Sequence, residues 1–377
     1  MNKVLFVSPT VYSNPVTKDI QKKFQSLSKV CNPIVYAFSE EKFRSSVEGV
    51  EAMFNKKNKN RFLNYLKIIF LFFFKIPKIV KEQNIDIVCL QDPITGFFTI
   101  FSLKIRKSPV KIVVENHGDF IDTIGLEKNL LLPKFYTSIF SYLAKYSIKK
   151  ADLIRSISDF TEKQVLNFGY QGLFVRFPAW INIDNYLNTD IQRSYSDTFK
   201  IIFVGSVTDR KNPKIIIESL ETIDGDVSLE IIGQTPNLKY LKELNNLISS
   251  SKYSERITMT PFIEAEQLIS KYASANLFIL PSKSEGLGRV IIEAQATACP
   301  VLVSSNTGMV DLIIENETGY IFENNNKNDL SNKIQYIMNN YESALQTGLN
   351  SKNFIKENQS VANFEFGYKK LIDLVST

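Results

Sequence analysis

The chain has 377 residues, of which 44% are hydrophobic and 22% charged; this fits two ordinary globular domains and argues against a disordered protein. Its three cysteines, Cys31, Cys89 and Cys299, are odd in number and far apart, which excludes a disulfide framework or a cysteine metal cluster and points to a reducing compartment. The net charge of +6 is unevenly spread: residues 1–180 hold 27 Lys and Arg against 15 Asp and Glu, and residues 181–377 hold 18 against 24. A basic half implies either an anionic partner or a lysine-rich solvated surface.

In chain order, the opening "MNKVLFVSP" reaches Pro9 too soon for a signal peptide and reads as a buried first strand over 3–9. Further strands are predicted at 33–38, 86–92, 111–117 and 153–158, then at 200–206, 228–233, 256–261, 277–282, 300–305 and 319–322. Each is a short, nearly continuous apolar run, and most of the gaps between them are long enough for a crossover helix. That pattern predicts parallel sheets covered on both faces, in an α/β architecture. It restarts near residue 200, after the polar stretch 182–199, which reads as an interdomain linker. Two doubly wound domains facing a central cleft would bind ligands at the carboxyl ends of their strands.

Residues 62–80, "FLNYLKIIFLFFFKIPKIV", need separate treatment. The uninterrupted apolar run is Ile68–Phe74, flanked by Lys67 and Lys75, with Pro77 expected to break the helix. A membrane span needs about 20 apolar residues. A core helix is therefore expected, with an interfacial amphipathic segment as the alternative.

Three stretches carry candidate chemistry. "SEGLGRVIIEA" (284–294) follows a strand end, and its helix is expected to begin near Leu287, with Leu287, Val290, Ile291, Ala294 and Ala298 as the buried stripe. Gly286, Leu287 and Gly288 then form a tight loop at a helix N-terminus, where backbone N–H groups favour an anion. A carboxylate beside a phosphate would repel it, so Glu285 is expected to accept hydrogen bonds from neighbouring hydroxyls, and Glu293 from a diol such as ribose. A phosphate between two polyols describes a sugar nucleotide; the alternative is two surface glutamates. In "FVGSVTDRKNP" (203–213), Gly205 ends a strand, and Arg210 and Lys211 could clamp a diphosphate or be ordinary loop cations. In "VVENHGDF" (113–120), His117, the only histidine, sits beyond a strand end beside Gly118 and Asp119 and is a candidate catalytic group. "DGD" (224–226) has the look of a metal motif but lies where a turn is expected, so no metal site is assigned.

"PSKSEGLGRVIIEAQATACPV" (281–301) resembles the signature P-S-x-x-E-G-x-G-x-x-x-x-E-A-x-A-x-G-x-P-V of retaining glycosyltransferases of family 4, which have the GT-B fold. The likeness continues through 304–322, and "VGSVTDRKNP", "LIRSISDFTEKQVLNFGY" (153–170) and "FEFGYKKLIDL" (364–374) resemble the family's glycine–basic loop, serine-containing segment and closing crossover helix. Departures are Ser206 in place of an arginine after Gly205, "SSNTGMVD" with Gly308 and Asp311 where a glycine pair and glutamate are usual, and Cys299 read in place of the glycine before "PV". The early glycine pair of many members is missing from "SPTVYSNPVTKD" (8–19), so no acceptor-side residue is assigned.

The resemblance implies an acceptor-side domain over 1–185, completed by a crossover helix at 360–377, and a nucleotide-sugar-binding domain over 195–358. It implies a retaining hexosyltransferase without cofactor or metal, moving sugar from a nucleotide-diphosphate sugar to a glycan or lipid-linked acceptor in cell-surface polysaccharide or glycolipid synthesis. Lys211 and Arg210 would hold the diphosphate, Glu285 and the 286–288 amides the sugar and phosphate, Glu293 the ribose, and His117 the transferred sugar. A sugar-nucleotide epimerase and a catalytically silent membrane scaffold are the rival readings. No motif for nucleic-acid binding is present. Lys128, Lys134, Lys145, Lys149 and Lys150, set among Leu130–Leu132, Phe135, Ile139, Phe140 and Leu143, predict peripheral docking on an anionic membrane from the cytoplasmic side.

Overall fold

The structure, a computed structural model, describes residues 1–118, 133–191, 193, 195 and 197–377. Asp119, Phe120, Lys128 and Leu130–Leu132 therefore lie outside the described residues. The chain divides into two units: one runs to Trp180 and takes back Val361–Thr377, and the other includes Ile181–Ser360.

The first unit is built on β1 (Lys3–Tyr12), β2 (Asn32–Ser39), β3 (Phe43–Val47), β4 (Val50–Lys56), β5 (Ile87–Leu90), β6 (Lys111–Asn116), β7 (Leu153–Ser156) and β8 (Leu173–Arg176). They form one sheet in the order β3-β4-β2-β1-β5-β6-β7-β8, parallel except where β3 runs against β4. Successive β1 side chains point to opposite faces, so Val4 and Phe6 enter one core and Leu5 and Val7 the other. The first core is closed by helices Lys18–Ser28 and Val361–Ser376, which contribute Phe24, Leu27, Phe364, Tyr368 and Leu371. The second is closed by helices that include Arg61–Phe70, Pro93–Ile105 and Pro133–Lys150.

Three strands of this sheet escape the sequence pattern. β3 and β4 form an edge hairpin turning through Glu48 (φ 50°) and Gly49 (φ 78°), both left-handed as a type I′ turn requires. Glu-Gly is a weaker signal than Asn-Gly, and β3 has no fully buried residue, so no apolar run announces it. β8 is likewise an edge strand with only Val175 buried. Pro77 does not break the 61–82 segment: a π turn at Leu71–Lys75 widens the helix just before it, Ile76 N–H reaching back to Leu71 O, and Pro77 enters the next helical stretch, Ile76–Glu82, in its first turn, where the missing N–H costs little.

The second unit holds β9 (Phe199–Val204), β10 (Val227–Ile232), β11 (Ile257–Thr260), β12 (Leu277–Leu280), β13 (Val301–Ser304) and β14 (Tyr320–Phe322) in a fully parallel sheet ordered β11-β10-β9-β12-β13-β14. The order reverses between β9 and β12, and the ends of these two strands bear the candidate loops. The polar stretch ahead of β9 is anchored. Arg193 donates to the carbonyls of Ala275 and Tyr272 at 2.8 Å, Ala298 at 2.5 Å and Thr297 at 3.1 Å, so one guanidinium satisfies chain ends of two helices. Asp224 and Asp226 flank Gly225 in a turn ahead of β10, where Asp226 is paired with Arg256 and accepts from Thr198 Oγ1 at 2.7 Å. Among the described residues no helix is long and apolar enough to cross a membrane.

Candidate active site

In the second unit, β9 gives way at Gly205 to the loop carrying Arg210 and Lys211. Gly205 N–H donates to Ile232 O at 2.9 Å, and the backbone of Gly233 passes so close that a Cβ there would lie 1.9 Å from Gly205 O. Only glycine fits at Gly233, and this close approach fixes where the basic loop leaves the sheet. The Lys283 N–H donates to Arg210 O at 2.8 Å, tying that loop to the one after β12. Arg210 Nη1 donates to Ser284 O at 2.9 Å and stands 3.4 Å from Glu285 Oε2, and Lys211 Nζ pairs with the same oxygen. These side chains are only 12–16% exposed. Arg210 and Lys211 thus converge on Glu285 in one largely buried cluster.

Beyond Glu285, the loop 286–288 is buried and the helix begins at Arg289, two residues later than the sequence pattern predicts. The reason is Gly288, whose φ of 75° makes it a left-handed N-cap; a Cβ there would meet Ile291 Cδ1 at 2.9 Å. Leu287 is buried from the loop rather than from the helix. The apolar face comprises Ile291, Ile292 and Ala294, while Val290 is half-buried. The helix ends with Ala298 N–H on Gln295 O and Cys299 N–H on Ala294 O, a Schellman closure with Ala298 at φ 56°. The position at which the signature has glycine is therefore Ala298, not Cys299.

Glu293 is not part of the Glu285 cluster. It accepts from Tyr272 Oη at 3.3 Å, and burial pushes its carboxyl up to about 7 despite Arg289 one turn earlier and the tyrosine bond. Tyr272 itself is fully buried.

In the first unit, His117 follows β6 and its Nε2 lies 2.8 Å from Glu115 Oε2. Glu115 is fully buried and also accepts from Tyr368 Oη at 2.7 Å, with Arg155 Nη1 3.3 Å away. Arg155 in turn donates to Tyr368 Oη at 3.0 Å and to Pro178 O at 2.8 Å, with its guanidinium 4.0 Å from the Phe177 ring centroid. Burial alone would raise the Glu115 carboxyl, but Arg155, His117 and Tyr368 outweigh it and hold it well below the usual carboxylate range. An ionised carboxylate only accepts, so His117 donates through Nε2–H and keeps Nδ1 as a lone pair. A third of the His117 side chain is exposed, yet loss of water around the rest lowers its pKa, with Glu115 opposing and Arg155 and Lys23 adding to the shift. The net shift favours the neutral imidazole.

Glu115, Arg155 and Tyr368 were not singled out in the sequence. A charged residue inside each of two predicted strands was the available signal: a buried carboxylate in "KIVVEN" demands a partner, and "LIRS" offers one. Nothing local points to Tyr368. Ser158, in the serine-containing segment, caps helix Asp159–Asn167 in a capping box with Thr161.

Comparison with known proteins follows the same division. Residues 34–184 match the Glycosyltransferase Family 4 family and residues 187–354 the Glycosyl transferases group 1 family. CapM of Staphylococcus aureus, a capsular polysaccharide biosynthesis glycosyltransferase, is 28% identical over 51% of this chain and 50% of its own length. WbnH of Escherichia coli, an O-antigen biosynthesis glycosyltransferase, is 26% identical over 80% of this chain and 81% of its own. The chain spans about half the length of the first curated relatives it matches. HepE of Anabaena, solved in complex with UDP and glucose, superposes with a TM-score of 0.72 over 99% of this chain and 100% of its own, at 15% identity, which shows the GT-B fold. The two matches together span most of both units, and the chain belongs to the glycosyltransferase family 4, group 1 glycosyl transferases.

Proposed function

We propose that this chain is a retaining hexosyltransferase that uses a nucleotide-diphosphate sugar, a UDP-sugar being the donor to test first, and a glycan or lipid-linked acceptor in cell-surface polysaccharide synthesis. The observation that carries this reading is the convergence of Arg210 and Lys211 on Glu285 beside the buried Gly286–Gly288 loop, in the loops that follow β9 and β12. The polymer-building roles of CapM and WbnH, and the UDP and glucose held by HepE, support the substrate class.

In this mechanism Arg210 and Lys211 bind the diphosphate, and the 286–288 amides add hydrogen bonds to it. Glu285 then accepts from hydroxyls of the sugar, Glu293 from the ribose, and His117 from a sugar hydroxyl through Nδ1. The bond from the anomeric carbon to the phosphate oxygen breaks, and the acceptor oxygen bonds to that carbon on the same face. The acceptor's proton passes to the departing phosphate oxygen. Lys211 stabilises the charge developing there more than it stabilises the ground state. The 1–185 segment with 360–377 would serve the acceptor, 195–358 the donor, and the enzyme would work peripherally at the cytoplasmic face of a membrane without metal.

The test is a thermal-shift titration of the purified chain with UDP-, GDP- and ADP-sugars, followed by NMR of the product. Lys211→Ala should weaken nucleotide-diphosphate binding by about 1.5–3 kcal/mol and leave nucleoside binding unchanged. The new linkage should keep the donor's anomeric configuration, and activity should survive EDTA. Equal losses for nucleoside and diphosphate, or an inverted product, would overturn the reading. Turnover of the donor to its epimer without acceptor would replace it with the epimerase.

A further inference from the structure

The helix that begins at Arg61 is apolar on both sides. Ile68, Phe72 and Ile76 point into the second core of the first unit. On the other side Phe62, Leu66, Phe70 and Phe74 form a stripe at every fourth residue, all exposed, Phe62 by 68% and Phe70 by 60%. The π turn at Leu71–Lys75 takes more residues per turn than an α-helix, so Phe74 stays stacked along Phe70, ring centroids 5.0 Å apart. The stripe continues onto helix Pro93–Ile105. Phe73 lies 4.7 Å from Phe74 and 6.2 Å from Phe101, and Phe101 and Ile105 are themselves exposed. Six large apolar side chains grouped on neighbouring helices, rather than scattered singly, mark an interaction surface.

The charge of the segments that bear and adjoin this stripe says what covers it. Segments 61–75, 93–105 and 133–150 contain no Asp or Glu at all, while they carry Arg61, Lys67, Lys75, Lys104, Lys145, Lys149 and Lys150 among their basic residues. A second copy of the chain would set this cationic face against itself. A bilayer with anionic headgroups offers opposite charge at the rim and hydrocarbon at the centre. The apolar run Ile68–Phe74 is too short to span, so the helix lies in the interface.

We propose that this face is an anionic-membrane docking surface, in which Phe62, Leu66, Phe70, Phe74, Phe101 and Ile105 enter the acyl boundary and the surrounding lysines contact lipid phosphates. The inference rests on the proposal that the acceptor is presented at a membrane. It assigns the main contact to the aromatic stripe of 61–75 and 93–105, with Lys145, Lys149 and Lys150 at the rim.

The experiment is co-sedimentation of the full chain, without donor or acceptor, with vesicles of phosphatidylcholine alone and of phosphatidylcholine mixed with phosphatidylglycerol. The chain should bind only the anionic vesicles, and lose most binding at about 1 M salt, where the Debye length falls to about 3 Å. Phe70→Ser with Phe74→Ser should cut partitioning about tenfold or more, and Lys104→Glu with Lys145→Glu should do so at low salt. These side chains are exposed, so both double variants should keep the parent's Tm and its thermal shift with UDP-sugar. If the parent ignores anionic vesicles, or the serine variant binds them as well as the parent, the docking surface is overturned. If sedimentation velocity shows a dimer that the serine variant dissociates, the face is a self-contact and the proposal also falls. Loss of the UDP-sugar shift with vesicle binding intact would strike the donor reading alone.

Discussion

Glu293 carries a readily testable electrostatic signature. Its carboxyl is raised to about 7 in the folded chain against an ordinary value of 4.5. The folded state therefore holds the proton more tightly than the unfolded state. The resulting stability is fully present below about pH 4.5 and is lost as pH rises through about 7, a swing on the order of 3 kcal/mol. Glu293→Gln removes the titrating charge and keeps an oxygen for Tyr272. The variant should melt above the parent at pH 8 and converge with it near pH 5; a gap of the same size at both pH values would show that burial does not strain Glu293. Glu115 has the opposite sign: its depressed pKa adds stability above the ordinary carboxylate range that is lost on acidification. Glu115→Gln would leave Arg155 buried without a counter-charge and should cost about 3–5 kcal/mol. Tyr368→Phe removes one hydroxyl shared by Glu115 and Arg155 and should cost about 1–3 kcal/mol. If that hydroxyl holds Glu115 in place to orient His117, Tyr368→Phe should lower kcat and shift the pH profile while leaving donor KM unchanged. An unaltered profile would confine Tyr368 to packing. His117 was legible because it is the chain's only histidine and follows a strand end; its supports were not, because they meet only after strands β6 and β7 pair and the last helix returns.

At the scale of elements, the parallel core was legible wherever strands are buried on both faces, as in "KIVVEN" and "LFIL", because such strands are continuous apolar runs. It failed at the edges, where β3 and β8 bury little and the hairpin turn uses Glu48. The helix Arg289–Ala296 shows how far a sequence motif fixes local geometry. Its left-handed N-cap is glycine, as the conformation demands, but its left-handed exit residue, Ala298, has a Cβ. The signature laid on 281–301 already sets its glycine at 298, one position before Cys299, and the left-handed φ of Ala298 is the physical reason that glycine is usual there. An L-residue in that conformation costs about 1–2 kcal/mol, so Ala298→Gly should raise stability by about 1 kcal/mol after the entropy of glycine is counted. Arg193 bonds the carbonyl of residue 298, not its side chain, and so should be unaffected. Urea denaturation at constant m-value checks this; a midpoint unchanged or lowered would mean that Ala298 is relaxed in its left-handed turn.

At the scale of the molecule, the chain returns to its first unit after the second is complete. Helix Val361–Ser376 seals the first core with Phe364, Tyr368 and Leu371, its aromatic rings meeting Phe177 and Trp180 at centroid distances of 4.9–6.4 Å. Gly367 is the point of closest packing, since a Cβ there would fall 2.4 Å from Phe177 Cγ. The same helix delivers the Tyr368 hydroxyl to Glu115 and Arg155, so the last helix both completes the core and sets the buried charge network beneath His117. Gly367→Leu should wedge the helix off the sheet at a cost of at least about 3 kcal/mol, since the overlap is with a ring already packed against Arg155. The second unit, Ile181–Ser360, has its own sheet and none of these contacts. Heating the variant should therefore produce an early transition that the parent lacks, and limited proteolysis between the two transitions should cleave within residues 1–180 and leave a fragment close to 181–360. A single transition, unchanged from the parent's, would mean that the closing helix contributes little to the first unit and that the buried network stands without it.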